Sequence, residues 1–144
     1  MFYLAVFLLW TFVIYWMHRL AHVIPFMEKY HYDHHKFVTK NEVDWHWSNL
    51  FLYNDTVDST IDLWLTEVIP TIVLSLFFGW WLFIAYYVWA AFIQERIEHN
   101  ENFNWYPLTS GKWHMIHHRN KKYNYGIFFP VWDMVFGTAK PNDN

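Results

Sequence analysis

Cysteine is absent from all 144 residues. That excludes disulfides, thiolate nucleophiles and cysteine-ligated zinc or iron–sulfur sites, and says nothing about compartment. Glycine and proline are scarce, at 4 and 5. No repeat, low-complexity segment or linker interrupts the chain, so its length reads as one domain over residues 1–144. Charge is also thin: charged side chains make up 16% and the net charge is -3. No basic, aromatic-interleaved patch stands out, so no nucleic-acid partner is expected. A basic leader with a small-residue cleavage site is missing from the start, so the first apolar run does not read as a signal peptide. What the chain does have is apolar and aromatic mass, 55% and 24% respectively, with 11 Trp, 10 Tyr and 14 Phe. That composition fits a membrane protein with aromatic belts.

Residues 1–17 carry no charged side chain and run straight into His18. About 20 helical residues are needed to cross the hydrocarbon core, so one helix is expected to continue through His18 and His22. Pro25 should interrupt it, with a further helix over 28–37. Residues 38–59 alternate polar and aromatic without a period and read as loop and interface. Trp45, Trp47 and Tyr53 are expected near the headgroups, and the lone His46 in a structural or interfacial role rather than as a ligand. The apolar run 61–93 is too long for one crossing. Gly79 divides it into a hairpin, about 60–78 out and 80–98 back, with Asp62 and Glu67 near its start and Pro70 placed to kink it. The expected architecture is therefore all-α: an integral-membrane bundle of about three transmembrane helices under a histidine-rich cap. All Lys and Arg residues fall on the histidine side of such a bundle or at its boundary, which makes that side cytoplasmic by the positive-inside rule.

The cap is where chemistry concentrates. His18 and His22 stand at i,i+4; His31, His34 and His35 stand at i,i+3,i+4; His114, His117 and His118 repeat the triplet. Residues at these spacings share one helix face, and neutral imidazole is the commonest metal ligand. Two triplets and a pair exceed what the two axial ligands of a b-type haem need. Glu95 and His99 are one turn apart, followed by Asn100. Imidazole suits iron, zinc and copper alike, so ligand type does not select the metal.

These motifs, His18-Arg-Leu-Ala-His22, His31-Tyr-Asp-His-His35, His99-Asn100, His114-Met-Ile-His-His118 and the ending Asn124-Tyr-Gly126 with Trp132-Asp-Met-Val-Phe-Gly-Thr138, resemble the fatty acid hydroxylase/sterol desaturase superfamily. Members are integral-membrane, non-haem di-metal oxygenases. The first, second and fourth motifs alone would also suit membrane acyl-CoA desaturases; the ending separates the two. The resemblance implies that His18, His22, His31, His34, His35, His99, His114, His117 and His118 bind two iron ions, with zinc able to substitute in preparations. Asp33, Glu95, Asn100, Asn124 and Asp133 are candidates for orienting the imidazoles from outside. Some members carry a further histidine where Glu95 stands, so Glu95 is open to three roles: ligand, acceptor from His99, or ion-pair partner of Arg19 or Lys122. Family members usually have more membrane helix before the first motif, so the chain reads as shortened at its N-terminus.

The implied activity is O2-dependent hydroxylation or desaturation of a lipid, whether fatty acyl, sterol or carotenoid-type. Breaking an unactivated C–H bond needs oxidants that side chains alone do not supply. No flavin, haem or iron–sulfur motif is visible, so electrons must come from cytochrome b5 or a ferredoxin with its reductase. The membrane would be the endoplasmic reticulum in a eukaryote and the inner membrane in a bacterium, and a homo-oligomer is compatible with the sequence. Rival readings are oxidation of an aldehyde or alkane, and a non-catalytic metal-binding membrane protein of the same fold.

Overall fold

The computed structural model describes residues 1–140, so the last four residues of the domain expected over 1–144 lie outside the described part. Among the described residues every regular element is helical and there is no strand. Helix α1 (Phe2–Ala21) contains neither glycine nor proline and is 20 residues long. It buries Val6, Trp10, Ile14, Tyr15, His18 and Ala21 along one stripe and leaves Leu4, Leu8 and Leu9 exposed on the other side. His22 closes it, its N–H reaching back to the carbonyls of Arg19 and Leu20. Helix α2 (Pro25–Val38) begins three residues earlier than the sequence suggests, because Pro25 occupies its first turn. That is a favourable place for a residue with no N–H to give.

Between α2 and the next long helix, a short 3₁₀ turn (Trp47–Phe51) is capped by His46, whose Nδ1 accepts from the Ser48 amide at 3.4 Å. Helix α3 (Val57–Phe78) follows. Thr56 caps it, with the hydroxyl accepting from the Ser59 amide at 3.0 Å. In place of a simple kink at Pro70, α3 widens into a π-turn at Trp64–Val68 just before it. Beside Pro70, which has no N–H to give, Thr71 Oγ1 donates to the Glu67 carbonyl at 2.6 Å. Gly79, with φ of 106°, makes the hairpin turn in a region closed to side chains. Helix α4 (81–97) returns and carries a second π-turn at Ala90–Gln94. Helix α5 (Lys112–Arg119) bears the second triplet, and a short α6 (Val131–Val135) precedes the end of the described chain.

Helices α1 and α3 are each long and apolar enough to cross a membrane. They are joined in the middle by Trp10, whose Nε1 donates to Thr71 Oγ1 at 2.8 Å and whose ring lies 4.5 Å from that of Phe128. The ends of α1 and α2, the start of α3, the end of α4 and all of α5 converge at one pole, and every histidine of the repeated motifs is there.

Candidate metal centre

The histidine triplets are split by helix geometry. Neighbouring residues on a helix project about 100° apart, so His34 and His35 face different ways, their ring planes at 90°. The result is two groups: His18, His22, His31, His35 and His117 in one, and His34, His99, His114 and His118 in the other, with ligand atoms all within 4.8 Å of one another in each. Each triplet therefore serves both groups. His31 and His35 go to the first and His34 to the second; His114 and His118 go to the second and His117 to the first.

The donor set fits metal ions. In the first group His22 Nε2 lies 2.9 Å from His31 Nε2 and 3.0 Å from His117 Nε2, and His31 Nε2 is 3.0 Å from His35 Nε2. In the second, His114 and His118 bring their Nε2 atoms to 3.0 Å. Nitrogens held about 2.0–2.1 Å from one ion must lie this close to each other. The Nε2 atoms of His18 and His99 are buried without a hydrogen-bond partner, a costly state unless something else satisfies them. Burial pushes His31 down to about 3, helped by the charge of Lys121. Burial likewise holds His34, His35, His114, His117 and His118 well below the ordinary imidazole range. These six rings are neutral near pH 7, the form that ligates. His99 differs: burial depresses it, but the hydrogen bond and charge of Glu95 outweigh that and raise it.

Outer partners fix several rings. His18 Nδ1 meets the Tyr125 carbonyl at 2.8 Å, and His117 Nδ1 meets the Tyr123 carbonyl at 2.7 Å. His31 Nδ1 meets Asp62 Oδ2 at 2.9 Å, and His99 Nδ1 meets Glu95 Oε1 at 3.2 Å. Of the five outer candidates read from the sequence, only Glu95 hydrogen-bonds an imidazole, and its ion pair is with His99 rather than Arg19 or Lys122. Asp33 makes no side-chain hydrogen bond among the described residues. Asn100 accepts from the Asn102 amide in its own turn. Asn124, at φ of 58°, bonds the backbone of Trp113 and Lys140. Asp133 accepts from the amides of Tyr125 and Gly126 and from Thr138 Oγ1. Asn124 and Asp133 thus hold the backbone whose carbonyls, on Tyr123 and Tyr125, orient His117 and His18.

Sequence reasoning missed three outer partners, Asp62 and the two carbonyls, and also the buried Glu98, whose Oε1 lies 3.6 Å from His114 Nε2. Asp62 was detectable as a carboxylate at the head of an apolar run, a placement that is expensive without a partner. Glu98 lay in sight beside His99 without a periodic pattern to single it out. Backbone carbonyls leave no mark on a sequence.

The fatty acid hydroxylase family model matches residues 3–138, nearly the whole chain. The chain belongs to the fatty acid hydroxylase family. Among curated relatives, this family member is 30% identical over 142 residues to a protein of Arabidopsis thaliana named as a Delta(7)-sterol-C5(6)-desaturase, covering 94% of this chain and 47% of that one. It is 28% identical over 132 residues to the Delta(7)-sterol-C5(6)-desaturase of Nicotiana tabacum, covering 90% and 46%. The chain spans about half the length of the curated relatives it matches. No solved structure matches it.

Proposed function

We propose that this chain carries the metal-dependent core of a membrane oxidoreductase that uses O2 to hydroxylate or desaturate a lipid. The observation that carries this reading is the convergence of nine histidines into two groups at one pole of an apolar helical bundle. The names of the sterol desaturase relatives support the lipid class. So does an apolar cavity of about 250 Å³ between α1 and α4, with Trp10, Leu82, Tyr86, Trp89 and Phe128 in its wall. Its inner residue Tyr86 neighbours Glu67, which lines a cavity of about 30 Å³ bordered by both histidine groups.

The nine histidines would hold two iron ions, and iron when bound supplies the redox chemistry that activates O2. The chain's own part is positional. Asp62, Glu95 and the carbonyls of Tyr123 and Tyr125 fix which imidazole nitrogen faces inward. The aromatic bundle excludes water from the reacting carbon. Hydroxylation takes R–H, O2, two electrons and two protons to R–OH and water; desaturation takes the same inputs to an alkene and two waters. The electrons come from cytochrome b5 or a ferredoxin with its reductase. In this reading α1, α3 and α4 cross the membrane and the histidine pole faces the cytoplasm.

The test is turnover in lipid nanodiscs under O2, with products followed by mass spectrometry. Iron-loaded protein with a reduced carrier should give a hydroxylated or desaturated lipid; NADPH without a carrier should give none, and His117→Ala with the carrier should give none. Product formation by His117→Ala equal to that of the parent would refute the reading.

A further inference from the structure

Two cavities open onto the histidine pole, and their charges differ. One, of about 730 Å³, reaches His99 and mixes Glu42, Asp44 and Glu101 with Arg96 and Arg119. The other, of about 270 Å³, reaches His22 and His31, with Tyr32, Lys121 and Lys122 farther out and Glu28 as its one carboxylate. His22 is where the first group comes nearest the surface: it is half-buried, and its four companions are buried. Its Nε2 meets His31 and His117, whereas its Nδ1 has no hydrogen-bond partner among the described residues.

The surface around this second cavity is basic. Lys29, Tyr32 and Lys36 stand at i,i+3,i+7 on α2, so they share one face of it, and all three are exposed. The Lys121 ammonium lies 4.5 Å from the centre of the Tyr32 ring, which ties this stripe to the segment after α5. Arg19 lies 5.6 Å from the centre of the Tyr125 ring, itself part of the cavity wall. Arg19, Lys29, Lys36, Lys121 and Lys122 form no ion pair among the described residues. Glu28 and Asp33 offset only part of their charge.

We propose that this basic face docks a small one-electron carrier protein with an acidic surface, and that electrons enter the first histidine group past His22. The inference rests on the O2-dependent reading above, which draws its electrons from outside the chain. Electron transfer weakens steeply with distance, so the carrier must sit where a ligand comes nearest the surface. Complementary charge steers that encounter and fixes its orientation. Each encounter oxidises the carrier by one electron and reduces the bound ion by one, so a lipid turnover takes two encounters. Anionic lipid headgroups would meet the same charge. The carrier is favoured because the face surrounds the half-buried ligand instead of lying apart from it.

The zinc-loaded full chain in phosphatidylcholine nanodiscs tests docking without turnover. The probe is the haem domain of an acidic cytochrome b5, with basic cytochrome c as the control of opposite charge. The parent should bind the acidic probe, less tightly as salt rises, and should not bind the basic one. Lys121→Glu with Lys122→Glu should weaken binding by about tenfold or more, and Lys112→Glu, at the other end of α5, by less than about twofold. Lys29→Glu with Lys36→Glu, on a different helix, should weaken it likewise. Both double variants should keep the parental zinc content and denaturation midpoint, which separates docking from a structural role. In iron-loaded protein without O2, they should oxidise reduced probe more slowly when probe is limiting and at the parental rate when it saturates. Parental affinity for the probe in both double variants would overturn the proposal. If those variants lost co-purifying phosphatidylserine instead, the face would be a headgroup surface. Docking as expected in a chain that yields no lipid product would refute the O2-dependent reading and leave the docking face standing.

Discussion

Asp133 is fully buried, yet it touches no histidine; it gathers the amides of Tyr125 and Gly126 and the hydroxyl of Thr138. The Tyr125 carbonyl then receives His18. Asp133→Ala would leave two buried amides without acceptors, at about 1–3 kcal/mol each, and would free the His18 ring. The expected outcome is a lower denaturation midpoint together with weaker metal uptake by the first group, read by calorimetry and metal titration. The imidazoles themselves set the response to acid. His31 is pushed from 6.5 to about 3 by burial and Lys121. The unfolded chain therefore takes up this proton near pH 6.5 and the folded chain only near pH 3. Its contribution to stability is complete above 6.5 and is lost as pH falls toward 3. The other depressed histidines act in the same direction. Metal-free protein should denature more easily at about pH 5 than at about pH 7.5, and an unchanged denaturant midpoint would contradict this account.

Helix α5, like α2, serves both groups, which restricts its placement. Its start is fixed by Gly111, at φ of 75°, whose N–H donates to the Glu98 carbonyl at 2.9 Å. A Cβ there would run into the carbonyl of Phe103 and approach the Asn100 carbonyl to 2.8 Å. Gly111→Ala combines positive-φ strain with a backbone clash, so a loss of about 2 kcal/mol or more is expected. Displacing α5 moves His114, His117 and His118 together, so uptake at both groups should fall. Intact uptake of both ions by this variant would show that the α5 entry is not what sets their geometry. The two π-turns act at the same scale. Each re-aims polar residues, Glu67 from α3 and Gln94 from α4, and the two meet at 3.1 Å inside the bundle.

For the molecule as a whole, the segregation of charge makes a topological prediction. Arg19, Lys29, Lys36, Lys112, Lys121 and Lys122 all belong to the histidine pole, whereas the Gly79 turn at the far end of the hairpin is flanked by Phe78, Trp80 and Trp81. A reporter fused after Asn144, beyond the described residues, should be cytoplasmic. A cysteine introduced at Trp80 in this cysteine-free chain should react with a membrane-impermeant thiol reagent only from the opposite side. Labelling of that cysteine from the cytoplasmic side would contradict three crossings.

Sequence alone determined the helical class, the apolar hairpin around Gly79 and the shared faces of His18 and His22 and of the two triplets, because each depends on spacing along one helix or on the run length of apolar residues; His99 entered through the family resemblance. It also carried the closing motif around Asp133, but without that motif's role. Tertiary structure decided which histidine joins which group, since that depends on how α1, α2, α4 and α5 converge. It decided that a widened turn at Trp64–Val68 precedes Pro70. It also separated three buried carboxylates that look alike in the sequence. Asp62 and Glu95 meet the outer nitrogen of a ring, and Glu98 meets the inner one. Such distinctions depend on the direction of a side chain across a packed interface, and no one-dimensional period encodes that direction.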